Sequence, residues 1–445
     1  MSGASKPTSI STKQDRIATL AQQMPDRALS SLAHHIDIEW LKEAHRRTRK
    51  NAAPGVDGKT AEDYEQDLEG NLLRLLDAAK SGTYRAPPVR RVQIPKGDGK
   101  TRPLGIPTHE DKVLQRAVAM VLEPIYETSF YDFSYGFRPR RSALDAIEAL
   151  RVGLYANVSW VLDVDVQSFF DTLDHQVCRD LLSKRVSDGV IIRLVGKWLN
   201  AGVLEDGVMR RSETGTPQGG VISPLLANIY LHEVLDEWWV RDVKPRMRGE
   251  AFLIRYADDF VIGFEHEDDA RRVQAALSKR FEKFGLRIHP DKTRLVHFAR
   301  PRGDDLPPSG PGKKRTFDFL GFTHRWGKSR RGFQVVQRST MRSRFSRTVK
   351  AIADWLRQHL HEPLAVHAKA IADRLRGHDG YYGITGNRRA LSRLRYAVER
   401  IWWKRLSRRS QKGYVRWEYF YKVILARYPL LPPRVVHSVF RAAKH

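Results

Sequence analysis

Apolar residues recur at helical spacing over residues 36–49, and the run breaks at Asn51-Ala-Ala-Pro-Gly-Val-Asp-Gly58, a cluster of turn formers. Residues 64–81 carry Leu68, Leu72, Leu75 and Leu76 at three- and four-residue spacing, which predicts a helix with one buried face. Residues 87–94 read as extended and basic, Lys96-Gly-Asp-Gly-Lys100 as a hairpin turn, and residues 101–106 as the return strand. Helices are predicted at 111–126, 142–154, 175–185, 190–199 and 224–239. A strand is predicted at 160–166, and residues 253–264 read as two short strands around a polar turn. Residues 300–315, with several Pro and Gly, predict a loop or hairpin insertion, and the chain after Gly332 reads as predominantly helical. Residues 1–30, rich in Ser, Thr and Gln, are expected to be a flexible N-terminal segment. The mixture predicts an α+β protein.

Composition narrows what such a protein does. The 445 residues include 78 Lys and Arg against 51 Asp and Glu, a formal net charge of +27, too basic for an ordinary metabolic enzyme. At 41% hydrophobic residues the chain can fill two or three packed units, which excludes a disordered basic tail. No apolar run is long enough to span a bilayer and the start lacks the apolar core of a signal peptide, so a cytoplasmic location without membrane insertion is expected. The single cysteine, Cys178, excludes an internal disulfide and any zinc site of paired cysteines, and is expected to be a small buried residue. Residues 341–445 hold 24 basic and 6 acidic side chains, so +18 of the charge lies in the last quarter of the chain. That charge is spread over several segments and interrupted by aromatic rings, which suits nucleic acid better than an acidic membrane surface.

Two acidic sites carry the chemistry. In Trp160-Val-Leu-Asp-Val-Asp-Val166, period-two geometry sends Asp163 and Asp165 to one face and Leu162, Val164 and Val166 to the other. Carboxylates on so apolar a strand need a cation, a hydrogen-bond network or an exposed edge. The second site, Tyr256-Ala-Asp-Asp259, lies between two apolar runs and predicts a hairpin with Asp258 and Asp259 at its tip. Magnesium prefers carboxylate oxygens and keeps water or substrate phosphate as its remaining ligands, so aspartates from two neighbouring strands suffice. Taken singly, either fragment is equally an acidic strand edge or an Asp-Asp turn, and strand geometry alone does not exclude Asp163 from the metal.

Seven markers in order change this reading: Ala53-Pro-Gly-Val-Asp-Gly58; Ile94-Pro-Lys with Arg102-Pro-Leu-Gly-Ile-Pro107; Tyr135-Gly-Phe-Arg-Pro139; Asp165-Val-Gln-Ser-Phe-Phe-Asp171; Gly215-Thr-Pro-Gln-Gly-Gly220; Tyr256-Ala-Asp-Asp259; and Phe319-Leu-Gly-Phe322. Through them the chain closely resembles the group II intron-encoded reverse transcriptases, or maturases, from about Asn51 to its end. The resemblance implies a right-hand polymerase with fingers and palm over residues 31–327, followed by a helical thumb and maturase X domain over 328–445. It implies catalytic Asp165, Asp258 and Asp259, with Val166 lending its carbonyl to a magnesium site that manganese can also occupy. Asp163 falls outside the family's metal position. Lys96 and Arg102 match the basic pair that grips the incoming triphosphate, Phe170 the aromatic gate against a 2′-hydroxyl, Gln218 a contact to the nascent pair, and Lys292, in His289-Pro-Asp-Lys292, a later motif near the triphosphate.

The implied activity is RNA-directed DNA polymerisation, with deoxynucleoside triphosphates, an RNA template and a DNA primer as substrates and intron RNA as a partner whose splicing and mobility the protein assists. The alternative is a group II-like enzyme with a host defence or repair role. Tyr381, Tyr382, Trp402, Trp403, Tyr414, Trp417 and Tyr419, interspersed with basic residues, offer stacking and phosphate contacts. Lys404, Arg405, Arg408 and Arg409 are the expected RNA-binding cluster. The cysteine-containing endonuclease domain of many family members is not expected.

Overall fold

The computed structural model describes residues 9–95, 101–205, 208–210, 219–301, 315–329, 331–410 and 413–438. The chain divides into two compact units, Met1–Leu295 and Val296–His445. The boundary lies ahead of residue 327, where the sequence suggested one, because the Phe319-Leu-Gly-Phe322 strands pack with the C-terminal helices.

The first unit opens on the helix Ile10–Gln23, which the Ser9 hydroxyl caps by accepting from the Thr12 amide. Ile17 and Ala21, one turn apart, are fully covered, and Gln14 Nε2 donates to the Met120 carbonyl at 2.9 Å. Arg185 then ties down the following turn, donating to the carbonyls of Ala21 at 2.9 Å and Arg27 at 3.0 Å. The expectation that residues 1–30 fray is therefore corrected from residue 9 onward: the order comes from partners more than 100 residues away. The helices Ile38–Arg47 and Leu68–Ser81 follow, capped by Asp37 and Asp67; the second ends on Gly82 in the left-handed conformation.

Strands β1 (Val89–Pro95) and β2 (Thr101–Ile106) pair antiparallel. The helix His109–Glu127 is buried on nearly every side and forms the centre of the core. After the helix Ala143–Gly153 and strand β3 (Trp160–Asp165) come the helices His175–Ser183 and Gly189–Leu199, the first burying Cys178. Short strands β4 (Val203–Glu205) and β5 (Val208–Arg210) complete a sheet ordered β2-β1-β4-β5. The helix Ser223–Leu231 widens into i→i+5 turns at His232–Asp236 and Trp239–Val243. Strands β6 (Ala251–Tyr256) and β7 (Asp259–Phe264) form the predicted hairpin, and with β3 and β8 (Arg294–His297), where the chain leaves the first unit, they make a sheet ordered β6-β7-β3-β8. The helix Glu267–Lys283 packs on this sheet, with Phe281 against Phe260.

The second unit begins with an antiparallel sheet of β9 (Phe317–Phe319), β10 (Phe322–Lys328) and β11 (Gln334–Thr340). Strand β11 is an addition to the predominantly helical stretch expected after Gly332, which begins at Arg342. Val336, Arg338 and Thr340 are buried in alternation, a period-two signal in a β-branched stretch that the surrounding basic bias obscured. The helices Arg342–Gln358, Leu364–Tyr382 and Arg388–Leu406 then close on a core that includes Ile352, Leu356, Ile371, Leu394, Val398, Trp402 and Phe420. Among the described residues no helix is long and apolar enough to cross a membrane.

Candidate functional site

Sheet register builds the acidic site. Asp165, the last residue of β3, lies directly opposite Asp259, the first residue of β7, and Asp258 sits in the two-residue turn between β6 and β7. The turn is tight: Ala257 takes φ +57°, a left-handed conformation that is unfavourable for a residue with a Cβ. Burial raises the Asp258 carboxyl above its ordinary value, and the charge of Asp165 adds to this, while Arg102 and Arg255 oppose it. Two repelling carboxylates in a half-buried position call for a cation.

The segment of residues 287–292 supplies one. Gln167 N–H donates to the Arg287 carbonyl at 2.8 Å and His289 N–H to the Asp165 carbonyl at 2.8 Å, a bridge in which the Val166 carbonyl takes no part. The bridge brings in Lys292, whose Nζ lies 3.4 Å from Asp165 Oδ1. Asp163 is accounted for separately, since Arg294 Nη2 lies 3.4 Å from its Oδ2. Among the described residues no three His, Cys, Asp or Glu side chains converge closely enough to hold a metal ion by themselves. Asp165, Asp258 and Asp259 therefore do not form a closed cage. The donor set still fits magnesium, which takes one or two carboxylates and completes its shell with water and substrate phosphate.

Of the other expected residues, Lys96 and Gln218 lie outside the described residues. Arg102 is exposed on β2, and its charge reaches Asp258. Phe170 is half-buried and meets Phe169 edge to face at 5.4 Å, joined to the core of the first unit. Just beyond Gln218, Gly219 takes φ +120° with its Cα so near the Gly105 carbonyl that an added Cβ would lie 2.4 Å from the oxygen. The next turn is anchored by Gln115, whose Oε1 accepts from the amides of Val221 at 2.7 Å and Ile222 at 3.3 Å. Gln115 is in turn fixed by the buried Asp111, which also takes bonds from Tyr84 and Trp198. Burial pushes Asp111 up to about 6 in spite of those bonds. Neither Asp111 nor Gln115 was legible as functional, although both lie one turn apart on a largely buried helix.

The C-terminal candidates separate. Lys404 and Arg408 are exposed and Arg405 is half-buried, whereas Arg409 donates to the Glu362 carbonyl at 2.7 Å and serves the fold. Trp402 is fully buried, and Tyr381 and Tyr382 pack on Phe322. Tyr414, Tyr419 and Tyr421 are exposed by 69%, 56% and 60%, with Tyr414 edge-on to Trp403 and Tyr421 stacked beside Trp417. Beside them Arg400 lies over Trp403 at 5.6 Å and Trp417 at 5.7 Å.

Comparison with known proteins meets this geometry. The sequence profile described as "Reverse transcriptase (RNA-dependent DNA polymerase)" matches residues 94–324. "Protein YkfC" of Escherichia coli (strain K12) is 37% identical over 324 residues, covering 65% of this chain and 85% of that one. "Group II intron-encoded protein LtrA" of Lactococcus lactis subsp. cremoris is 36% identical over 379 residues, covering 68% of this chain and 62% of its own length. "Nuclear intron maturase 2, mitochondrial" of Arabidopsis thaliana is 26% identical over 238 residues, covering 44% of this chain and 30% of its own.

Proposed function

The chain belongs to the reverse transcriptase (RNA-dependent DNA polymerase) family, and from that premise we propose that it copies RNA into DNA and binds intron RNA to assist its splicing and mobility. The reaction joins the primer 3′-oxygen to the α-phosphorus of a deoxynucleoside triphosphate and releases pyrophosphate. The observation that carries this reading is the register of β3 and β7, which sets Asp165 opposite Asp259 beside the Asp258 turn. In the polymerase reading the sheet β6-β7-β3-β8 is the palm, β1 and β2 belong to the fingers, and the helices after β11 are the thumb and X domain.

Asp165, Asp258, Asp259 and the Val166 carbonyl would hold magnesium. When bound, it would acidify the primer hydroxyl and offset charge on the triphosphate. Arg102, together with Lys96, offers its charge to the triphosphate, and Lys292 does the same from beside Asp165. Phe170 gates the sugar and Gln218 meets the nascent pair. Exposed Lys404 and Arg408 and half-buried Arg405, with the exposed rings of Tyr414, Tyr419 and Tyr421, support an RNA surface in the second unit. Similarity to intron-encoded proteins favours intron RNA over a host defence or repair role.

Primer extension on an RNA template tests the reading. Asp165→Ala and Asp258→Ala should each remove magnesium-dependent extension from a folded protein; parental extension by both would refute the site.

A further inference from the structure

We propose that Arg255 is a positioning residue for the Asp258 carboxylate, acting through a buried network with Asp236, Asn228 and Gly136; the proposal rests on the polymerase reading of that carboxylate. Arg255, Asp236 and Asn228 are all 0% exposed. A buried ion pair is weak evidence for stability, because well-packed apolar residues usually serve as well. Its bonds suggest another use. Arg255 Nε and Nη2 grip both oxygens of Asp236, at 2.8 Å and 2.5 Å. Nη1 donates to Asn228 Oδ1 at 2.9 Å and reaches forward to the Ala257 carbonyl at 3.2 Å. That carbonyl belongs to the peptide that carries the Asp258 N–H. The guanidinium thus holds a peptide whose residue is left-handed at φ +57°.

The other side of the turn is closed by Gly136. A Cβ added there would lie 2.3 Å from the Ala257 nitrogen and 2.8 Å from the Tyr256 carbonyl carbon. Asn228 Nδ2 donates to the Gly136 carbonyl at 2.7 Å, so one side chain links the clamp above the turn to the guanidinium below it. The neighbouring segment is fastened to β6 as well, through Arg255 N–H to the Phe133 carbonyl at 2.9 Å and Tyr135 N–H to the Arg255 carbonyl at 2.8 Å.

The i→i+5 turn at His232–Asp236 explains how two residues of one helix reach the same guanidinium. In a regular α-helix, residues eight apart point about 80° away from each other. The wider turn brings Asp236 round toward the face of Asn228. Burial would raise the Asp236 carboxyl, but Arg255 and His232 outweigh it and hold it below its ordinary value.

The charge-free double variant Arg255→Met/Asp236→Leu removes the ion pair while keeping volume, and Arg255→Lys keeps the charge but not the planar fork. We expect both to melt within a few degrees of the parent yet to lose kcat by roughly 30-fold, with KM for the nucleotide changed less than about threefold. Hydrogen exchange at the amides of residues 256–259 should speed up by about tenfold, and Mn2+ binding without primer or nucleotide, read by electron paramagnetic resonance, should weaken. Asn228→Ala, which leaves the ion pair in place, decides by the same readouts if the double variant does not fold. Parental kcat and exchange in the folded variants, or full rescue by lysine, would overturn the proposal. Asp258→Ala assayed alongside separates the two ideas: parental extension there sinks the polymerase site itself, whatever the Arg255 variants do.

Discussion

The two units handle charge in opposite ways. Residues 1–295 hold 44 basic and 42 acidic side chains, whereas residues 296–445 hold 34 against 9, so nearly all of the +27 belongs to the second unit. In the first unit several charges turn inward. Arg138, 3% exposed at its side chain, pairs with Glu127 and holds the carbonyls of Tyr131 and Ser134, Arg255 pairs with Asp236, and Arg185 binds three backbone carbonyls of residues 24–27. In the second unit Lys404, Arg408 and the tyrosines of residues 414–421 face out. Buried charge is little screened and acts by geometry; exposed charge is screened within about 10 Å at moderate salt and acts by attraction. Under the proposed function, the near-neutral unit would shape the site and the basic unit would gather the polyanion.

The sharpest break of this division would come from the aspartates. Asp258→Ala should cost at least about a thousandfold in extension rate while RNA affinity stays within about twofold; parallel loss of both, measured by primer extension and by binding titration, would mean that the units do not divide the work.

The converse experiment neutralises Lys404, Arg405 and Arg408 to Gln, leaving Arg409 to its bond with Glu362. Affinity for structured RNA should fall by roughly 30-fold at moderate salt, and the slope of log affinity against log salt should shrink by about 0.7 to 0.9 for each phosphate no longer neutralised. Extension at saturating template should change by less than about threefold. An unaltered salt slope would identify these side chains as a solvated face.

Stacking should contribute on a smaller scale. Tyr414→Ala or Tyr421→Ala should weaken unpaired RNA by about tenfold, and the Phe replacements should retain parental affinity, because the ring face and not the hydroxyl does the binding. Equal losses for Phe and Ala, in fluorescence titrations of single-stranded RNA, would argue against stacking.

The smallest effect concerns a charge-shy site inside the basic unit. His324 is fully buried, with Phe317 stacked on its ring at 4.9 Å. Burial, and then the charge of Arg338, lower it from 6.5 to about 3. The unfolded chain thus takes up a proton at a higher pH than the folded one. Stability is full above pH 6.5 and declines as pH falls toward 3, by up to about 1.4 kcal/mol per pH unit for this group. His324→Leu should flatten that part of the pH dependence in thermal unfolding, and an unchanged slope would place the acid sensitivity elsewhere.

Much of the site could be read in advance because its parts are local. The alternation around Asp165 and the apolar runs flanking Tyr256-Ala-Asp-Asp259 are properties of six or seven consecutive residues, and all three strands formed where those patterns predict them. Helix limits were legible for the same reason: Ser142 and Asp188 are capping residues beside the runs they cap. Strand β11 and the helix Ile10–Gln23 escaped because their signals are short or weakly apolar, and docking on distant elements decided them.

By itself, then, the sequence determined the family, the acidic residues of the candidate site, the order of most elements and the concentration of charge toward the C-terminus, all carried by composition or by neighbours within a few positions. Only the tertiary structure decided that Asp163 answers to Arg294 while Lys292 stands beside Asp165, across 131 and 127 residues respectively. It alone decided that Gly136, Asn228 and Asp236 meet around Arg255 and that Arg409 is spent on the fold. The reason is physical: a strand or a cap is selected by backbone preferences and local burial, but the partner of a buried charge is whichever group the returning chain carries into the same low-dielectric space.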